Sequence, residues 1–184
     1  MLRESVRNDG EFLRLSRLRR LRARKLLGLI DVSGSTKQRA DDNLALAHAL
    51  TQSTPLGETF TFGARLTRVT HPLRRNRRKQ ALNAAARLVG DWDGGTRIGA
   101  ALQASLTVPR IAGYARGAAI PVISDRLERG DVPVLRDAAA KLSRRARALN
   151  WLTPLATTRA FPPQTAGLLA IQPFVDAMVD GGST

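Results

Sequence analysis

Short apolar runs alternate along the chain with longer stretches whose apolar residues recur every three or four positions, and no other feature narrows the fold as much. "LLGLI" (26–30), "ETFTFG" (58–63), "GAAIPVIS" (117–124) and "ALNWL" (148–152) are too short for buried helices and read as strands. Between them, Ala40, Leu44, Ala47 and Leu50 fall on one helical face. Leu82, Ala85, Leu88 and Val89 mark a second helix, and Ile98, Ala101, Leu102, Ser105 and Leu106 a third. Leu135, Ala138, Leu142 and Ala146 mark a fourth, and "IQPFVDAMV" (171–179) reads as a last short helix. In "ETFTFG" the phenylalanines Phe60 and Phe62 share one side, and Gly63-Ala64 leads to "LTRVT" as an antiparallel hairpin partner. Strands alternating with helices predict an α/β fold: a doubly wound, mainly parallel sheet with helices on both faces and one antiparallel edge strand. Pro121 lacks a ladder donor, so the third of these strands is expected to start at Val122 or to carry a bulge.

The 184 residues suit one domain, and no internal repeat divides them. Residues 1–25 read as a basic lead-in, extended or partly ordered, with a short edge strand near Glu11–Leu15; the folded domain is expected over 26–184. The absence of cysteine excludes disulfides, thiolate metal sites and cysteine nucleophiles, and fits a reducing compartment. No apolar run approaches the roughly 20 residues of a membrane span. The first residues have no signal-peptide core, and the chain reads as cytoplasmic.

Thirty basic residues against 15 acidic give a net charge of +15. Such a surplus suits nucleic acid, an acidic partner or a membrane surface, and its plainest reading is an arginine-rich composition spread over solvated helix faces. Aromatic residues are only 4% of the chain, too few to interleave the arginines as stacking platforms. Non-specific binding to nucleic acid at low salt is therefore the most this charge implies. The run "KLSRRARAL" is read most simply as a solvated helix face, Trp92 and Trp151 as packing residues, and His48 and His71 as too isolated for a zinc site.

Three polar clusters fall where the strands end. Asp31, Ser33 and Ser35 follow the first strand directly. "DWDGGTRIG" (91–99) is a glycine-rich loop that opens a helix at Thr96, and Asp125 follows "VIS". In an open α/β sheet, ligands bind outside the carboxyl ends of the strands. Two carboxylates and three hydroxyls make an all-oxygen donor set, suited to Mg²⁺, Mn²⁺ or Ca²⁺ rather than zinc or copper. Helix capping is the competing role for Asp31, Ser33, Ser35 and Thr96, since the first amides of each following helix need acceptors. For Asp125 the competing role is that of a turn residue.

In order and in strand context, "DVSGS", "GGTRIG" and "ISD" resemble the von Willebrand factor A (VWA) domain and its metal-ion-dependent adhesion site, where Asp-x-Ser-x-Ser is followed by a distant Thr and a distant Asp. "FTFGARLTRVT", "DWDGGTRIGAAL", "ISDRLERGD" and "NWLTPL" are similar to the CoxE-like branch of these domains. The resemblance implies metal ligation by Asp31, Ser33, Ser35, Thr96 and Asp125, with Mg²⁺ as the leading ion. It also implies a MoxR-type AAA+ ATPase as partner, in chaperone-like maturation of a client metalloenzyme whose acidic residue completes the ion's shell. Trp92, Asp93 and Arg126 rim the site as candidate partner contacts. Arg126 stands where the family usually has glycine.

Two other functions compete with this non-catalytic module. A Mg²⁺-dependent phosphatase could use Asp31 as nucleophile, but such enzymes carry a second acidic residue two positions on, and here that position is Ser33. A basic nucleic-acid-binding domain would need a recognition motif of the helix-turn-helix, RRM or KH kind, and the sequence has none.

Overall fold

The structure is a computed structural model. It describes residues 23–32, 37–63, 65–89, 97–124, 131–153 and 165–179. Six strands form one sheet: β1 (Leu26–Asp31), β2 (Gly57–Phe62), β3 (Leu66–Arg68), β4 (Ala119–Ile123), β5 (Ala148–Leu152) and β6 (Ala177–Val179). Their order is β3-β2-β1-β4-β5-β6. Every pairing is parallel except β2 with β3, so β3 is the expected antiparallel edge. The helices are α1 (Lys37–Gln52), α2 (Thr70–Leu73), α3 (Arg78–Leu88), α4 (Ile98–Thr107), α5 (Pro109–Ala115), α6 (Val132–Ser143) and α7 (Ala166–Ile171).

The period of two along each strand sends alternate side chains into two separate cores. Leu27 and Leu29 of β1, Phe60 and Phe62 of β2, and Leu149 and Trp151 of β5 turn to the side covered by α4, α5, α6 and α7. Ile30, Val32 and Ile123 turn to the other side, where Leu44 and Ala47 of α1 and Ala85 of α3 meet them. Both faces of β1 are thus dry, which explains the near-continuous apolar run at 26–30. Among the described residues Trp151 is the largest fully buried side chain, in keeping with a packing role.

The sheet corrects two expectations. β4 neither starts at Val122 nor bulges. Its pairing with β5 runs without a break through Pro121↔Asn150. On the β1 side the pairs Leu26↔Ala119, Leu29↔Val122 and Ile30↔Ile123 keep one offset, and Pro121 falls in the interval between them. The flanking pairs hold the register, so one absent N–H does not shift it. The tail is not a helix over "IQPFVDAMV" either. A 3-10 turn at Gln172–Phe174 leads into β6, which pairs with β5 from Asn150↔Ala177 to Leu152↔Val179. The expected edge strand near Glu11–Leu15 lies outside the described residues.

The strand order reverses beside β1: the chain steps from β1 to β2 and β3 on one side, then returns to β4 on the other. Such a reversal opens a crevice at the carboxyl ends of the two central strands.

Candidate functional site

At that crevice β1 ends in Asp31 and β4 gives way to Ser124. The register Ile30↔Ile123 brings the next residue of each strand side by side. Asp31 is 1% exposed and Ser124 fully buried. The Ser124 hydroxyl donates to Asp31 Oδ2 at 2.7 Å. From the α1 side, Asn43 Nδ2 donates to the Asp31 carbonyl at 2.8 Å. The carboxylate is therefore fixed by a hydroxyl from the neighbouring strand, and its backbone by an amide from the covering helix.

The ladder runs one residue past each strand, which makes the carboxyl edge flush. Val32 N–H bonds the Phe62 carbonyl at 3.0 Å, Ser124 N–H the Leu152 carbonyl at 3.1 Å, and Thr153 N–H the Val179 carbonyl at 3.0 Å. Thr153 is buried there as well. A row of polar side chains at the buried end of a sheet is costly unless each is bonded, and buried hydroxyls and carboxylates are kept where they have work to do.

Of the five expected metal ligands, Asp31 is described; Ser33, Ser35, Thr96 and Asp125 lie outside the described residues, as do Trp92, Asp93 and Arg126. Their described neighbours meet at the same edge. Val32 and Ser124 end their strands there. Arg97, at the start of α4, lines one groove with Gly63, which follows β2. Arg97 occupies the N-cap position of α4 and makes no side-chain cap bond. Among the described residues no group of three or more His, Asp or Glu side chains could hold a metal. Three of the five expected ligands are hydroxyls and one carboxylate is outside the described set, so such a cluster is not the form this donor set takes.

Gly99 fixes how close α4 stands. A Cβ there would lie 2.6 Å from the Leu135 backbone nitrogen and 2.8 Å from its Cα. Only glycine lets α4 pack backbone to backbone on α6. Neither Ser124 nor Gly99 stood out in the sequence by itself. The signal was the pattern around them, since both lie within the quoted motifs "ISD" and "GGTRIG".

A different carboxylate sits on the β2–β3 hairpin. Glu58 accepts from Arg68 Nη2 at 2.6 Å, Arg68 Nε at 2.7 Å and the Thr70 hydroxyl at 2.7 Å. Burial alone would raise its pKa, but the bonds from Arg68 and Thr70 and the charges of Arg68 and Arg110 outweigh it and hold the carboxyl below its ordinary value. The Arg68 guanidinium is raised in turn by its bond to Glu58. Nearby, Tyr114 donates to the Leu56 carbonyl, and its phenol is raised by burial and by the Glu58 charge. These groups tie the hairpin to α2 and α5.

A doubly wound sheet with a hydroxyl-bound aspartate at its switch point defines an A-type α/β domain. The family described as "VWA domain containing CoxE-like protein" matches residues 1–183, and the chain belongs to it. No curated protein matches the chain. Among solved structures it is similar to an aerotolerance-related membrane protein from Bacteroides fragilis, at 16% identity and a TM-score of 0.51 over 87% of this chain and 92% of that one. Proximal thread matrix protein 1 of the mussel byssus aligns at 13% identity and a TM-score of 0.52, over 85% of this chain and 43% of that one. The VWA domain of SpRpn10 aligns at 12% identity over 86% of this chain and 87% of that one, with a TM-score of 0.49. Likeness at this level concerns the fold. The family points to a protein-interaction role. Among the described residues no helix is long and apolar enough to cross a membrane.

Proposed function

We propose that the chain is a non-catalytic, metal-dependent interaction module of the adhesion-site type. It acts as a cytoplasmic adaptor for a MoxR-type AAA+ ATPase in the maturation of a client metalloenzyme. The observation that carries this reading is the buried Asp31 carboxylate at the switch point, oriented by Ser124 from the adjoining strand. A hard oxygen donor held in this way fits Mg²⁺, with Mn²⁺ or Ca²⁺ as the alternatives. Asp31, Ser33, Ser35, Thr96 and Asp125 would hold the ion, and Trp92, Asp93 and Arg126 would rim it. When bound, the ion supplies positive charge and an open coordination position for a partner's carboxylate. The chain's own part is to orient Asp31 and to exclude water behind it, which Ser124, Asn43 and the two cores do. A phosphatase role is disfavoured because Ser33 stands where an acid–base carboxylate is needed.

A thermal melt of the protein with EDTA, Mg²⁺, Mn²⁺ or Ca²⁺, run beside Asp31→Ala, tests the proposal. Binding to the folded state raises the melting temperature by mass action. A rise with metal that vanishes in Asp31→Ala is expected. No rise with any of the three ions would overturn the metal site.

A further inference from the structure

A groove of about 540 Å³ runs between β3 and α4, beside the carboxyl edge of the sheet. Leu66 of β3 and Ala100, Ala101 and Ala104 of α4 give it an apolar wall, and Arg65 and Arg97 flank it. Both arginines are exposed. Among the described residues neither guanidinium has an ion-pair or side-chain hydrogen-bond partner, unlike Arg68 close by, which is closed on Glu58. Two unspent guanidiniums lining one groove can each take a carboxylate. The alanines on the α4 wall let another backbone come close.

The adjoining strand has an open side. β3 is the edge of the sheet, and Val69 N–H bonds the Thr59 carbonyl of β2. In an antiparallel pair the bonding direction alternates, so Leu66 and Arg68 turn their backbone groups away from β2. An extended segment laid along that edge would send alternate side chains onto the α4 wall.

We propose that this groove is a second, metal-independent docking site for an extended acidic segment of a partner protein, with carboxylates on Arg65 and Arg97 and apolar side chains on Leu66 and the α4 alanines. The site rests on the interaction role proposed above but not on the ion. It gives the module two contacts with one acidic partner, one through a cation and one through guanidiniums. Two linked contacts raise affinity without strengthening either.

The test uses the full chain in excess EDTA at about 0.15 M salt, where long-range attraction to a basic surface is largely screened. The probe is a fluorescein-labelled Glu-Leu-Glu-Leu-Glu-Leu peptide, read by anisotropy. Binding should weaken about tenfold in Arg65→Glu/Arg97→Glu, the loss expected when two exposed ion pairs of up to about 1 kcal/mol each are removed. Ala100→Trp should weaken it comparably with no change of charge. Arg116→Glu/Arg144→Glu, two exposed arginines beyond the other end of the helices, carries the same charge change and should leave binding within about twofold. Matching circular-dichroism melts establish that each variant folds. Absence of binding in EDTA, equal weakening by the Arg116/Arg144 pair, or no effect of the Arg65/Arg97 pair would each overturn the groove. Binding that appears only on adding Mg²⁺ would place the carboxylates on the ion, so the metal reading would stand and the groove would fall. Binding in EDTA that depends on Arg65 and Arg97, in a protein whose melt ignores metal, would leave the groove standing alone.

Discussion

Asp31 and Glu58 each accept a hydrogen bond at 2.7 Å, and they live in opposite circumstances. Asp31 is held by a serine hydroxyl at the bottom of a crevice, with both partners buried. Glu58 is closed by a guanidinium on an open hairpin, where the Arg68 side chain is 43% exposed and that of Glu58 16%. The first pair joins the two central strands of the sheet. The second trims an edge. A hydroxyl from the adjoining strand orients the Asp31 carboxylate, whereas a guanidinium closes that of Glu58. The difference separates a carboxylate buried at the switch point, where the proposed ion would sit, from one that ties an edge hairpin together.

Three substitutions would break or sharpen this contrast. The largest effect belongs to the packing behind the crevice. Gly99→Val would drive a side chain into the Leu135 backbone, and the two helices would have to part. A loss of about 3 kcal/mol is expected, read as a lower urea midpoint. A loss near zero would mean that α4 can slide, and that the crevice wall is not rigid.

Next comes Ser124→Ala. It removes the donor from a buried carboxylate, for which about 2 kcal/mol of destabilisation is expected. The same variant should weaken the melting response to metal without abolishing it. A loss below about 0.5 kcal/mol would mean that the Ser124 hydroxyl does not hold the Asp31 carboxylate, and would erase the contrast with Glu58.

Smallest is Glu58→Gln. The pair is partly exposed and screened, so about 1 kcal/mol or less is expected, shrinking as salt is raised. The sign with pH is fixed by the lowered carboxyl. Its contribution is complete above the ordinary value of 4.5 and is lost as pH falls through the lower value of the folded state. Urea midpoints taken from neutral pH downward should fall less steeply in Glu58→Gln than in the wild type. Parallel curves would show that the hairpin pair does not couple to folding.

The alternation of short apolar runs with helical faces was enough to read β1, β2, β4 and β5 and the four longer helices, because each buries several side chains in a regular period. The antiparallel hairpin was legible from Phe60 and Phe62 with Gly63 after them. α2, α5 and α7 are too short for a period to build up, and β6 is a strand only because β5 lies beside it. Pro121 misled because a missing N–H matters less when the ladder holds on both sides of it. At the site, Asp31 was legible from its place after an apolar run. Ser124 was not, since a serine that bonds a buried carboxylate across 93 positions looks in sequence like any serine before a turn.

That separation has a kinetic consequence. Bringing Ser124 to Asp31 closes a loop of 93 residues, an entropy cost that local contacts do not carry. A half-made chain, ending before β4, has no crevice. Interactions absent from the folding transition state act on the unfolding rate. A ligand that required the finished crevice would therefore lengthen the lifetime of the folded domain and do little to hasten its birth.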